Sequence, residues 1–216
     1  MFKKITCILL AIVMLSLPLA LPVSAEDELK FSDVPEDHWA YEYINECVSR
    51  GILNGYPDGT FKPEKQLKVC EFIKMLVCAY FKNVEEGIES LNLPDGSHWA
   101  RPYVLIGDRD FFSATDYETD ESIERTITRM EATEMVVCLY GLRNYGDKIK
   151  SSLDITDEYI KDLKDLDLLE SEWDKFFVNT AIKFGLMCGF DDGTFRPFDG
   201  LTRAQAAKII YLALTN

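Results

Sequence analysis

The sequence predicts an all-α protein built from three helix–loop–helix units, and three recurrences carry that reading. His38-Trp39-Ala40 returns as His98-Trp99-Ala100, with a third Trp at 173. The turn GILNGYPDGTFKP at 51–63 returns as GLMCGFDDGTFRP at 185–197. The helix start ITRME at 127–131 returns as LTRAQ at 201–205, with a weaker copy, LKVCE, at 67–71. Measured from each Trp, Val69, Arg129 and Arg203 all lie 30 residues on, while Gly55 and Gly189 lie 16 on. Register kept at so many positions marks an internal triplicate.

Each first helix begins near its Trp. In copy one, Trp39, Tyr43, Ile44, Cys47 and Val48 fall at helical spacing. Pro102 falls in the first turn of the copy-two helix, where a missing N–H costs least. Gly51 and Gly185 are helix stops. Tyr56-Pro57-Asp58-Gly59 is a tight-turn signature, with Pro presetting φ and Gly supplying a positive one. Phe61 and Phe195 then plug the core from the loop. The second helix opens at Thr128 or Thr202, where Thr128-x-x-Glu131 and Thr202-x-x-Gln205 are capping boxes. The stripe Ala204, Ala207, Ile209, Ile210 follows. Copy one has Lys68 in place of the capping Thr, which predicts a helix start weaker by about 1 kcal/mol.

Copy two is degenerate in its middle: SATDYETDESIERT at 113–126 replaces the Gly-Tyr-Pro-Asp-Gly turn and puts Thr115 and Thr119 where glycines belong. The Trp-to-Trp spacing is 60 and then 74, and the extra length falls in the charged stretch 143–172. The organisation expected is therefore a leader at 1–25, copy one at 28–83, copy two at 91–142, an insert or lead-in at 143–172, and the core of copy three at 173–216. A single helix pair cannot bury both faces, so the three pairs share one core.

The leader reads as a signal peptide. Lys3 and Lys4 precede the apolar run ITCILLAIVMLSL, and Val23-Ser24-Ala25 resembles a cleavage site. No later segment is apolar enough to cross a membrane, so no membrane span is expected after cleavage. The formal net charge is −14, from 23 basic and 37 acidic residues. Without residues 1–25, which hold two Lys and no acid, it is −16. That sign argues against nucleic acid and anionic lipid as partners. Five cysteines follow the leader, at 47, 70, 78, 138 and 188, an odd number that cannot pair completely within the chain. Cys78 and Cys138 occupy the same place in two helices, each as one more small apolar residue, which favours buried free thiols, suited to a low-oxygen habitat, over the one or two bridges that export permits.

The residues with chemistry to offer are Arg129 and Arg203. A cation at the first helical position opposes the helix dipole. With free backbone N–H groups beside it, it makes a carboxylate or phosphate site. The competing reading is an Arg reaching back to a nearby Asp as a structural pair. Trp39, Trp99 and Trp173 either pack or, if partly exposed, offer a platform to a sugar face. Asp33 and Asp95 precede their Trp residues and cap helices or hold hydroxyls; Asp154 and Asp167 compete for that place in copy three.

FSDVPEDHWAYEYI, GILNGYPDGTFKPEKQLKVCEF, ITRMEA and LTRAQA together resemble the repeats of the surface-layer homology (SLH) family over essentially the whole mature chain. The resemblance implies a pseudo-threefold bundle that anchors exported proteins, without covalent bonds, to secondary polysaccharides of the Gram-positive cell wall, often pyruvylated. It places ligand grooves between repeats, with Arg129 and Arg203 on the ligand carboxylate, Asp33, Trp39, Asp95, Trp99 and Trp173 around it, and Gly55 and Gly189 in the turns. It implies no cofactor and no catalysis. Val69 leaves one groove without its anion anchor. The other reading is an exported scaffold or subunit that binds another protein through degenerate repeats, with the acidic stretch 143–172 as its contact. The two His recur at helix starts, which reads as capping, and no carboxylate pair stands out for glycosidase work.

Overall fold

The computed structural model describes residues 31–108, 110–112, 114–145 and 157–216, so the expected leader lies outside the described residues. It is helical, with isolated β-bridges in place of strands among the described residues. The helices are α1 (Tyr41–Ser49), α2 (Val69–Tyr80), α3 (Val84–Glu89), α4 (Arg101–Gly107), α5 (Asp120–Glu124), α6 (Arg129–Tyr145), α7 (Glu172–Lys183) and α8 (Arg203–Thr215). None of them is long and apolar enough to cross a membrane.

The three second helices, α2, α6 and α8, pack on one another at the centre. Each first helix lies on the second helix of the preceding copy: α4 on α2, α7 on α6 and, closing the circle, α1 on α8. The axis of this arrangement is a ring of three backbone hydrogen bonds. Leu67 N–H donates to Leu201 O (2.8 Å), Leu201 N–H to Ile127 O (3.3 Å), and Ile127 N–H to Leu67 O (3.0 Å). All three side chains are fully buried. Three matched antiparallel bridges flank the ring, Gln66 with Thr202, Lys68 with Thr126, and Thr128 with Gly200. The pseudo-threefold arrangement is thus written in the backbone.

Local signals explain most helix ends. Thr202 Oγ1 accepts from Gln205 N–H (3.3 Å) while Gln205 Oε1 accepts from Thr202 N–H (3.0 Å). Thr128 and Glu131 do the same, at 3.2 and 3.0 Å. Copy one keeps half of this box despite Lys68, because Glu71 Oε2 accepts from Lys68 N–H at 3.0 Å. Gly51 and Gly185 adopt φ of +71° and +65° just beyond their helices. His38 and His98 each accept, at Nδ1, the N–H of the Ala two residues on, at 3.1 and 3.2 Å.

The middle of copy two folds differently. A 3-10 turn (Ala114–Tyr117) leads into α5, and Thr119 Oγ1 caps α5 by accepting from Ser122 N–H at 3.1 Å. Thr119 thus initiates a helix where the other copies place a left-handed glycine. Buried Tyr117 and Ile123 supply the loop plug that Phe61 and Phe195 provide elsewhere. No disulfide joins the five described cysteines. The expectation that all are buried fails at Cys188, which is exposed; Cys47 and Cys70 are buried, and Cys78 and Cys138 are half-buried.

Candidate functional site: two grooves between repeats

The turns of copies one and three are built alike. Tyr56 N–H donates to Thr60 O (2.7 Å), and Phe190 N–H to Thr194 O (2.8 Å). Asp58 and Asp192 each accept from the amide and hydroxyl of the Thr two residues on. After each plug Phe the chain turns left-handed at a non-glycine residue, Lys62 (φ 59°) and Arg196 (φ 57°). The two carboxylate oxygens of Asp33 hold that strained corner, accepting from Phe61 N–H and Lys62 N–H, both at 2.7 Å. Asp165 does the same for Phe195 N–H (2.8 Å) and Arg196 N–H (2.7 Å).

Asp33 therefore neither caps a helix nor lines either groove. The copy-three counterpart is Asp165, not Asp167; Asp154 lies outside the described residues. Asp165 stands eight residues before its Trp against six for Asp33, so counting from the Trp misses it. The signal that finds it is the apolar residue two positions earlier. Phe31 packs against Gly55, as Leu163 does against Gly189. Asp95 is exposed in the turn before Trp99 and, among the described residues, meets no loop amide.

Each Arg joins two copies. Arg129 Nε donates to Phe195 O (2.9 Å) and Nη2 to Cys188 O (3.0 Å). Arg203 Nε donates to Phe61 O (2.9 Å) and Nη2 to Asn54 O (3.0 Å). The guanidinium of Arg129 lies 4.7 Å from the Phe190 ring centroid and 4.9 Å from that of Phe195; Arg203 lies between Tyr56 and Phe61 at 5.0 and 4.5 Å. The side chains are only 6% and 7% exposed, and among the described residues neither has a carboxylate within ion-pair distance. The reading of these arginines as partners of a nearby Asp is thus not what the structure shows. Burial pushes the Arg129 guanidinium below its ordinary value.

The expectation of free helix-start amides also needs correction. Arg129 N–H and Met130 N–H donate to Asp199 O (2.9 Å) and Pro197 O (2.8 Å). Arg203 N–H and Ala204 N–H donate to Lys65 O and Pro63 O, both at 3.0 Å. With the capping boxes these complete the donors of the first turn. The guanidinium of each Arg still lines a groove.

Two grooves result, each assembled from all three copies. Groove I, of about 360 Å³, brings Trp39 of copy one and Arg129 of copy two onto the copy-three loop Gly185–Phe190 and Lys208 of α8. Groove II, of about 180 Å³, brings Trp99 and Arg203 onto Ile52–Asn54 and Lys74 of α2. The Trp residues stand at the surface and not in the core, 51% exposed at Trp39, 50% at Trp99 and 63% at Trp173. Lys208 Nζ stands 6.0 Å from the Trp39 ring centroid. Gly189 lines groove I, and a Cβ there would come within 2.9 Å of Thr194 O. At Gly55 the ring of Phe31 occupies the corresponding space.

The third position in the register holds Trp173, Val69 and Glu134, so both cations are gone. Burial, followed by Asp116, Asp174 and Glu131, raises the Glu134 carboxyl above its ordinary value. Val69 N–H donates to Arg125 O (3.0 Å), which shows that copy one docks on the loop of copy two. The missing Arg and the degenerate turn therefore belong to one groove.

The model of the S-layer homology domain family matches residues 30–68 and 162–207. These two segments match SLH repeats. The second SLH match begins eleven residues before Trp173 and includes Asp165, while degenerate copy two lies outside both. The chain is similar to S-layer protein EA1 of Bacillus anthracis, 28% identical over 199 residues that cover 90% of this chain and 21% of that protein. It is similar to an S-layer protein of Bacillus licheniformis, 26% identical over 90% of this chain and 20% of the relative. An uncharacterized cell wall amidase of Bacillus anthracis is 25% identical over 83% of this chain and 31% of its own length. The chain thus spans between a fifth and a third of the length of these relatives.

Proposed function

We propose that this chain is an anchoring module of the cell surface, which docks without covalent bonds on an anionic secondary cell-wall polysaccharide. The observation that carries this reading is the pair of buried arginines, each without a carboxylate partner among the described residues, each in a groove with an exposed Trp and a Lys. A sugar carboxylate, as in a pyruvate ketal, meets the guanidinium, and the sugar face stacks on the indole. Recurrence of the same segment in S-layer proteins and in a protein named as an amidase supports a portable anchor with no chemistry of its own. Arg129 and Arg203, with Trp39 and Trp99, carry the binding; Gly55, Gly189 and Asp33 shape the loops behind it.

The test is co-sedimentation with purified, protein-free cell wall, before and after chemical removal of pyruvyl groups. Arg129→Ala and Arg203→Ala are each expected to weaken binding about 10- to 100-fold, the worth of one hydrogen bond to a charged group, and the double variant to abolish it. Melting curves establish that each variant is folded. Failure of the native chain to sediment with the wall overturns the reading. A second reading, docking of another exported protein, is favoured locally by the third position, where Trp173 is the most exposed of the three indoles and both cations are lost.

A further inference from the structure

Cys188 is the exposed thiol among the five described cysteines, and it lies in the wall of groove I. The matching position of copy one is Asn54, so the sulfur is particular to this groove. Its backbone is fixed, since Cys188 O accepts from Arg129 Nη2 at 3.0 Å. Arg129 is only 6% exposed and lines the same groove, and among the described residues its Nη1 has no hydrogen-bond partner. Lys208 adds a second cation to the wall of this cavity of about 360 Å³. A thiol, a buried cation with an open donor and room for a small molecule thus share one recess.

We propose that Cys188 is a thiol-modification site selective for anionic low-molecular-weight disulfides, and that the adduct fills groove I. The Cys188 sulfur attacks one sulfur of R–S–S–R; the Cys188–S–S–R bond forms, the original S–S bond breaks, R–S⁻ departs and the thiol proton passes to solvent. A carboxylate on R lies against Arg129 and Lys208. The adduct then occupies the arginine that the wall polymer needs, so modification and attachment exclude each other. This last consequence rests on the anchoring reading; the modification does not.

The experiment uses the whole chain with two aliphatic disulfides, 3,3′-dithiodipropionate, a dianion, and cystamine, a dication. Each rate is divided by the rate of the same disulfide with 2-mercaptoethanol, and adducts are located by peptide mass mapping. Cys188 is expected to react first, with a dianion-to-dication ratio of about ten, the scale of two unit charges acting through solvent at several ångströms. The ratio is expected to fall in Lys208→Gln, which leaves the Arg129 bridge intact, and on adding salt. Equal normalised rates for the two disulfides, no change of the ratio in Lys208→Gln, or first reaction at Cys78 or Cys138 would overturn the proposal. In wall sedimentation, the dipropionate adduct is expected to bind less than the untreated chain, while Cys188→Ser binds the same before and after treatment. If the untreated chain does not bind the wall, the anchoring reading fails, and the mass map and rate ratio still decide the thiol site.

Discussion

Arg129 and Arg203 show how one residue type can join two copies and still line a groove. Each fork bonds two carbonyls of a neighbouring copy, which fixes the guanidinium before any ligand arrives. The sequence singled out both positions, but the choice between ligand and Asp partner depended on a neighbouring loop about 60 residues away in one case and about 140 in the other, beyond local reading. Asp33 is a clearer case of a role hidden from the sequence, because the amides that it holds lie 28 and 29 residues on. Asp33→Asn leaves one of those amides facing a donor, and we expect a loss of about 1–3 kcal/mol in chemical denaturation; Asp165→Asn is expected to match it. Glu124 is one of the acid-sensitive residues. Hydrogen bonds from Lys68 and His98 lower its carboxyl from 4.5 to about 2. A pKa depressed by folding stabilises the native state above the ordinary value and loses that contribution as pH falls toward the folded one. Stability between pH 4.5 and about 2 is therefore expected to fall more steeply in the native chain than in Glu124→Gln, as read from melting temperatures across that window.

At the scale of elements, the helix starts were legible because the capping boxes are local. Copy one shows the limit of that reading: Glu71 alone holds its half of the box where Lys68 lacks a hydroxyl. The degenerate turn was legible as a loss, yet not as a replacement, since the Thr119 cap and α5 have no counterpart in the other copies. Nor did the sequence reveal that Val69 and this turn face each other. The pairing yields a prediction. Val69 is fully buried, and the loop that it meets has no Gly-Tyr-Pro-Asp-Gly turn to present carbonyls to a fork. Restoring the family residue alone by Val69→Arg is expected to destabilise the protein by about 3 kcal/mol or more, the cost of burying an unpaired charge. Wall binding should not improve. A rise in melting temperature would show that copy two still offers acceptors.

For the whole molecule, the internal triplicate announced three like units, but only the structure shows how they close. Every copy contributes one N–H and one C=O to the central ring, and α1 packs on α8 across the ends of the described chain. A linear array of repeats loses stability unit by unit, whereas a closed ring loses a bonded partner on both sides of any missing member. A single denaturant transition is expected, with the same midpoint by fluorescence and circular dichroism, and a fragment ending at residue 145 should be unfolded. Two separate transitions would contradict closure.

The ring also separates two fates in evolution. The ring that closes the copies lies on the axis, in backbone atoms that any residue but proline supplies. What lines the grooves lies at the rim, in side chains that a single mutation can remove. A rim position can decay, as at Val69 and Glu134, while the axis holds its shape and the two remaining rims keep theirs. The architecture has a built-in spare: one face is free to change while the other two keep their grooves.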